Sequence, residues 1–322
     1  MLKGKGMYVW QVARTEGGNI SLVAEMAKSA NITHVLIKIA DGTDSYNLSS
    51  TGQDLARLLA DALKAKGIEP WGWHYVYGND PTGEANKAVQ RVQETGVVGY
   101  VIDAEAEYEL PGKAAAATTF MQSLRSSLPF YPVALSSFRY PSLHPSLPWV
   151  EFLGSCDYAM PQVYWVLATN AGEQLLRSLL EYRTMTTLPI IPTGSAYAEG
   201  TWTATTAQVV EFLNTARAQN LPAANFWEWY AARQIPNLFE TIAAYSWPVV
   251  LPPPPVGGGV VVRGRVWSSV LNVRSGPGSE FSVVGSLKLG TRVTIYNLHR
   301  AWVKISPDAE QWVYSYYLDR VV

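Results

Sequence analysis

Along the first 248 residues, short β-rich apolar runs alternate with longer segments whose apolar positions recur every three or four residues. Residues 7–12, 34–39, 70–75, 99–103, 132–136, 158–162, 189–193 and 225–229 form the short runs and predict strands. Between them, Leu55, Leu58, Leu59, Ala62 and Leu63 share one helical face, and Val209, Val210, Leu213 and Ala216 share another. Eight strand–helix repeats in about 240 residues predict an α/β fold, a closed parallel (β/α)8 barrel of the TIM type. A doubly wound open sheet is the competing architecture. It calls for a glycine-rich phosphate turn after the first strand, and residues 11–18, Gln-Val-Ala-Arg-Thr-Glu-Gly-Gly, are not G-x-G-x-x-G.

The pattern breaks at residues 249–259, where four consecutive prolines and then three glycines read as a stiff spacer followed by a flexible joint. Beyond it, in residues 260–322, short alternating runs are separated by Gly/Pro turns, as in Leu271-Asn-Val-Arg274-Ser-Gly-Pro-Gly278. That predicts a second, small all-β barrel domain. The expected organisation is therefore a barrel over 1–248, a linker over 249–259 and a β module over 260–322.

Composition narrows the chemistry. Charged residues make up only 16% of the chain, which carries 12 Trp and 18 Tyr, so its surface suits flat neutral rings such as sugars better than phosphates. A net charge of -1 gives no reason to expect a nucleic-acid partner. That near-neutrality hides a division: eight basic and four acidic residues after Gly259 give the tail +4, while 17 basic and 22 acidic residues leave the body at −5. One cysteine, Cys156, allows no intramolecular disulfide, and His34, His74, His144 and His299 show no metal-binding spacing, so no metal and no cofactor are expected. No apolar run approaches the ~18 residues of a membrane span. The opening Met-Leu-Lys-Gly-Lys-Gly-Met leads straight into Tyr8-Val9-Trp10 without an apolar signal region. The expectation is a mature or trimmed form, or export by another route.

In a barrel of this kind, chemistry sits at the carboxyl ends of the strands. Those ends supply Trp10, Lys38, Asp41, Trp73, His74, Asp103, Glu105, Glu107, Gln162, Tyr164, Glu228 and Trp229 as candidates. Asp103-Ala-Glu105-Ala-Glu107 is the most informative stretch: an extended strand would put its three carboxylates on one side at steps of about 6–7 Å, and their repulsion would raise at least one pKa. One acid could then stay protonated beside an ionised neighbour, the division of labour that glycoside cleavage needs. A solvated loop holding Glu105 and Glu107 is the plainer alternative, and a divalent-cation site a third. Lys38 serves equally as a sugar donor or as a partner of Asp103 or Asp41, and His74 as a titratable group or a structural one. Trp227 and Trp229 have the opposite strand parity to Glu228, so only one set is expected to face inward.

Residues 6–107 resemble the glycoside hydrolase family 25 lysozymes in Val35-Leu-Ile-Lys38-Ile-Ala-Asp41, Gly67-Ile-Glu-Pro-Trp-Gly-Trp-His74-Tyr75 and Val101-Ile-Asp103-Ala-Glu105, and Trp227-Glu-Trp229-Tyr230 resembles that family's barrel ending. This implies a peptidoglycan-degrading glycosidase that hydrolyses the β-1,4 bond between N-acetylmuramic acid and N-acetylglucosamine, with Glu105 as acid and Asp103 as orienting or stabilising carboxylate. Tyr8 stands where that family has an aspartate, and none follows Trp229 near the end of the barrel, where that family places another. A non-catalytic glycan-binding or scaffold protein with a degenerate site is therefore one alternative. Another is the family 18 chitinase-like barrel, which Asp103-Ala-Glu105-Ala-Glu107 and Met160-Pro-Gln-Val-Tyr164 resemble. That resemblance implies substrate-assisted cleavage of N-acetylglucosamine polymers, with Glu107 as acid and Tyr164 at the acetamido group. The tail resembles bacterial SH3-like domains, which implies attachment to cell-wall peptide or glycan. The expected partner is thus peptidoglycan or another N-acetylated glycan, met outside the cell or at the wall, as a phage-type lysin would meet it.

Overall fold

The computed structural model describes residues 2–247, 263–299 and 302–321. The expected linker at 249–259 lies outside the described residues. The chain folds as two compact units, one holding residues 2–121 and 132–247, the other residues 122–131 and the described residues from 263 onward.

The larger unit contains eight parallel strands: β1 (Gly4–Val9), β2 (Ile32–Asp41), β3 (Glu69–Val76), β4 (Gly99–Ala104), β5 (Val133–Phe138), β6 (Tyr158–Val163), β7 (Thr193–Ser195) and β8 (Ala223–Trp227). Each pairs with the next, and β8 pairs with β1, so the sheet closes on itself as the alternation predicts. Strands buried on both faces read as continuous apolar runs, and Ile32–Asp41 is nearly that. Tyr8, Leu36, Trp71, Trp73, Val101, Ala134, Met160 and Ile191 fill the barrel interior.

The connecting helices carry their own start and stop signals. Asp54 accepts from the Arg57 N–H ahead of the helix Leu55–Ala65, and Asp80 accepts from the Gly83 N–H ahead of Pro81–Thr95, with Pro81 in the first turn. Gly96 then ends that helix in the left-handed region. Thr205 and Gln208 form a reciprocal capping box on Thr206–Ala218. Arg91, inside Pro81–Thr95, ties two helices together through 2.7 and 3.0 Å bonds to Asp54, and adds a 2.7 Å bond to Glu94.

Three strands are displaced from expectation: the first, the last, and the seventh, which spans Thr193–Ser195 in place of 189–193. The first strand begins at Gly4, not at Met7, because Gly6 passes so close to His34 and Asn225 that a side chain there would collide with both. Lys5 is buried too, its Nζ donating to the carbonyls of Ile242, Ala243 and Tyr245 at 2.7, 2.8 and 2.7 Å and thereby satisfying the end of the Leu238–Ala244 helix. The last strand ends at Trp227, which moves Trp229 out of the barrel wall and into the helix Trp229–Gln234.

From residue 263 onward the described residues form a small β domain with a single 3-10 turn at Ser315–Tyr317. Arg263–Val266 pairs with Arg292–Thr294 and Leu318–Val321, and a five-stranded sheet is built around Val270–Arg274 and Trp312–Tyr314. Val266, Leu271, Val273, Val303, Val313 and Leu318 make its core. On its surface Trp267, Tyr317, Tyr314 and Trp302 form a row, with successive ring centroids 5.4, 6.1 and 5.4 Å apart.

Candidate active site

A cavity of about 500 Å³ opens at the carboxyl end of the barrel. Tyr8, Asp103, Ser136, Gln162 and Trp227 come from strands, and Glu105 and Tyr164 from positions just past β4 and β6. Phe138, Arg139, Tyr140, Leu143 and His144 line it from the end of β5 and the turn that follows, and Tyr197 and Glu199 from the segment after β7.

Asp103 and Glu105 share one face of the extended end of β4, as alternation requires. The side-chain amide of Gln162 fixes both: its Nε2 donates to Asp103 Oδ1 at 2.8 Å and to Glu105 Oε1 at 2.9 Å, with Ser136 Oγ at 3.3 Å. Asp103 is only 5% exposed, whereas Glu105 is half-buried and reaches the cavity. Burial pushes the Asp103 carboxyl well above the usual carboxylate range, and the charge of Glu105 adds to the shift against Lys38, Ser136 and Gln162. Burial also raises Glu105, opposed by Gln162 and reinforced by Glu107. The pair therefore keeps a proton to higher pH than a solvated carboxyl would.

Glu107 does not join them. The chain turns into a short 3-10 helix, Ala106–Glu109, immediately after Glu105, and the period-two alternation stops there. Glu107 instead accepts a 2.7 Å hydrogen bond from the Tyr75 hydroxyl. The expected set of three carboxylates on one face is thus two, with Glu107 held aside.

The other expected residues divide. Gln162 and Tyr164 line the cavity, and Tyr164 packs edge-on against Tyr197 with centroids 5.7 Å apart. Trp10, 42% exposed, lies 6.3 Å from Trp227, whose ring also meets Tyr8 at 5.4 Å and Trp73 at 5.3 Å. Lys38 is committed to Asp41 at 2.7 Å and lies 4.8 Å from the centroid of the Trp73 ring, so it acts on Asp103 by its field. Burial would raise Asp41, but hydrogen bonds from Lys38 and Tyr77 hold its carboxyl below the usual range.

Four residues expected at the substrate have structural positions. Trp73 is buried in the barrel interior and donates its indole N–H to the Val9 carbonyl at 3.2 Å. His74 is fully buried, with Nδ1 2.8 Å from the Tyr100 hydroxyl and Nε2 2.7 Å from the Gly42 carbonyl, and burial lowers its pKa to about 4. Glu228, 6% exposed, caps the helix Trp229–Gln234 by accepting from the Ala231 and Tyr230 N–H groups. Trp229 packs on Phe239 and donates to Glu16 at 2.9 Å. In the choice set by parity it is Trp227, not Glu228, that faces the cavity.

Arg139, His144 and Tyr197 carry no periodic signal, and only their position beyond strand ends marks them. His144 stacks on Phe138 with centroids 3.5 Å apart and has Nδ1 3.1 Å from Glu109. Among the described residues there is no group of three His, Cys, Asp or Glu side chains arranged to hold a metal ion, and no helix long and apolar enough to cross a membrane.

A family profile described as Bacterial SH3 domain matches residues 269–319. No curated protein matches the chain. Among solved structures, the barrel is similar to a chitinase from Chromobacterium violaceum, at 10% identity over 75% of this chain and 98% of that one with a TM-score of 0.56. It is similar to a glycoside hydrolase family 18 N-acetylglucosaminidase from Paenibacillus barengoltzii, at 12% identity over 75% and 99% with a TM-score of 0.53. An endo-1,4-β-D-mannanase from Thermotoga petrophila is similar at 11% identity over 70% and 88%, with a TM-score of 0.54. Likeness at such identities carries fold and not substrate. The family 25 resemblance rests on the sequence motifs alone. The chain thus joins a (β/α)8 barrel of glycoside-hydrolase-like fold to a bacterial SH3 domain.

Proposed function

We propose that the barrel is a glycosidase that cleaves the wall glycan at the β-1,4 bond between N-acetylmuramic acid and N-acetylglucosamine, with Glu105 as general acid. The observation that carries this is the shared Gln162 amide, which sets a buried carboxyl, Asp103, behind a cavity-lining one, Glu105. Their raised affinity for protons keeps an acid protonated to higher pH than a solvated carboxyl would be.

Asp103 lies on the same strand and the same side as Glu105, so it does not flank the bond from the opposite face as an enzymic nucleophile does. Substrate assistance fits this arrangement. Glu105 protonates the glycosidic oxygen, the bond to the anomeric carbon breaks, and the neighbouring acetamido oxygen bonds to that carbon. Water, giving its proton to the Glu105 carboxylate, then opens the ring so formed. In this reading Asp103 orients the acetamido group, Tyr164, which lines the same cavity, donates to it, and Trp227 with the neighbouring Trp10 offers faces for pyranose rings.

The same chemistry serves a polymer of N-acetylglucosamine alone, the chitinase-like reading that the family 18 likeness supports. The SH3 domain favours the wall, with its row of exposed aromatic rings as the contact and the outside of the cell as the place of action. The test is the release of new reducing ends from purified peptidoglycan and from chitin oligosaccharides, with the terminal sugar identified by mass spectrometry. Muramic acid at the new reducing end supports the reading. Peptidoglycan bound but left intact would favour a non-catalytic glycan-binding protein.

A further inference from the structure

We propose that Arg139 is a specificity-determining residue that binds a carboxylate carried by the sugar, so that the cavity selects the free lactyl acid of N-acetylmuramic acid over N-acetylglucosamine. This deepens the glycosidase reading of the Glu105 site and rests on it.

Arg139 directly follows β5 and lines the same cavity as Asp103 and Glu105. Arg91, Arg177 and Arg233 of the barrel all pair with carboxylates. Among the described residues, Arg139 has no carboxylate within the 4.0 Å ion-pair distance. Its guanidinium lies 5.0 Å from the centroid of the buried Tyr140 ring. That ring is itself anchored, with Arg177 3.9 Å from its centroid and its hydroxyl 3.4 Å from Gln174 Oε1. An aromatic face positions a cation without neutralising it, so the planar donor fork stays available to a carboxylate.

The remaining charges explain the need. Glu199 and the ionised member of the Asp103–Glu105 pair line the cavity and oppose an anionic sugar, and His144 is already turned to Glu109. A neutral N-acetylglucosamine chain requires no cation there. A lactyl carboxylate requires one, and Arg–carboxylate pairs are the strong, geometrically selective kind.

The lactyl group is charged only when it carries no peptide. Amide hydrolysis produces that form: water adds to the lactyl carbonyl, the C–N bond breaks, and a carboxylate and an amine are released. The preferred substrate is therefore glycan already processed by an amide hydrolase.

Three glycans test this: peptide-free wall strands, the same strands with their lactyl carboxylates converted to neutral amides, and chitin oligosaccharides of matched length. Wild type is expected to show kcat/KM at least about tenfold higher on the free acid than on the amide. Arg139→Gln should abolish that preference, lowering kcat/KM on the free acid at least about tenfold more than on the amidated glycan, and Arg139→Lys should restore part of it. Equal wild-type rates on acid and amide, or an equal loss on both in Arg139→Gln, would overturn the proposal. Hydrolysis of none of the three sinks the glycosidase reading instead. Calorimetric binding of N-acetylmuramic acid and N-acetylglucosamine then judges Arg139: preference for the acid in wild type, lost in Arg139→Gln, supports the contact, and equal affinities refute it.

Discussion

Tyr75 donates its hydroxyl to Glu107 Oε2 at 2.7 Å, and this bond holds Glu107 away from the amide that joins Asp103 to Glu105. Two residues that sequence spacing makes equivalent are thereby given different environments, and their variants are expected to behave differently.

Glu105→Gln should lower kcat about 10²–10⁴-fold, the range for loss of a general acid, with little change in KM. Glu107→Gln keeps a partner for the Tyr75 hydroxyl and should cost less than about tenfold in kcat. Steady-state kinetics on a soluble oligosaccharide checks both. A severe loss confined to Glu107→Gln would transfer the acid role to that residue.

Gln162 donates to the charged forms of both carboxyls and so holds their pKa values down against burial. Gln162→Leu removes that opposition. The alkaline limb of the pH–kcat profile, where the acid loses its proton, should therefore move to higher pH, while overall kcat falls as the carboxylates lose their positioning. A limb that stays in place, or moves to lower pH, would contradict the assignment of the titration to this pair.

Stability should fall on mild acidification. Burial lowers both His34 and His74 from 6.5 to about 4. Between those values the unfolded chain takes up protons that the folded chain refuses, so stability held above pH 6.5 is lost as pH falls toward 4. Each histidine should contribute a loss of about 2 kcal/mol between pH 7 and pH 5. The raised Asp103 and Glu105 carboxyls act in the opposite sense, which makes the slope with His74→Gln the cleaner measure. Urea denaturation at the two pH values should show a shallower pH dependence in that variant, and an unchanged one would count against a neutral buried His74.

Arg91 joins Asp54 at the head of the Leu55–Ala65 helix to Glu94 and the Ile39 carbonyl. Arg91→Ala leaves the partly exposed Asp54 carboxyl without its guanidinium and should destabilise the barrel by about 2–3 kcal/mol. Chemical denaturation reads this directly, and a loss below about 1 kcal/mol would place the pair among weak surface ion pairs.

The barrel is legible because strands buried on both faces read as apolar runs, and residues 35–37 and 100–102 announce themselves that way. The first strand was displaced because Gly4, Lys5 and Gly6 look unlike a strand. Their reasons are distant: His34 and Asn225 crowd Gly6, and carbonyls of the last helix hold Lys5. Asp103 and Glu105 were legible from alternation, but Glu107 was misplaced because no residue signals where the extended chain stops. At the end of β8 the same lack of a stop signal hides that Glu228 and Trp229 begin a helix. Arg139 and Tyr197 sit on connections whose shape depends on tertiary packing, so no local pattern marks them.

A structure of the Glu105→Gln protein with an N-acetylated oligosaccharide spanning the cavity tests the central claim most directly. A glycosidic oxygen within about 3 Å of the side chain at position 105, with the acetamido group of the preceding sugar beside Asp103 and Tyr164, is the predicted result. A scissile oxygen nearer Glu107, or a glycan bound along the cavity with neither glutamate in reach of a glycosidic oxygen, would contradict it.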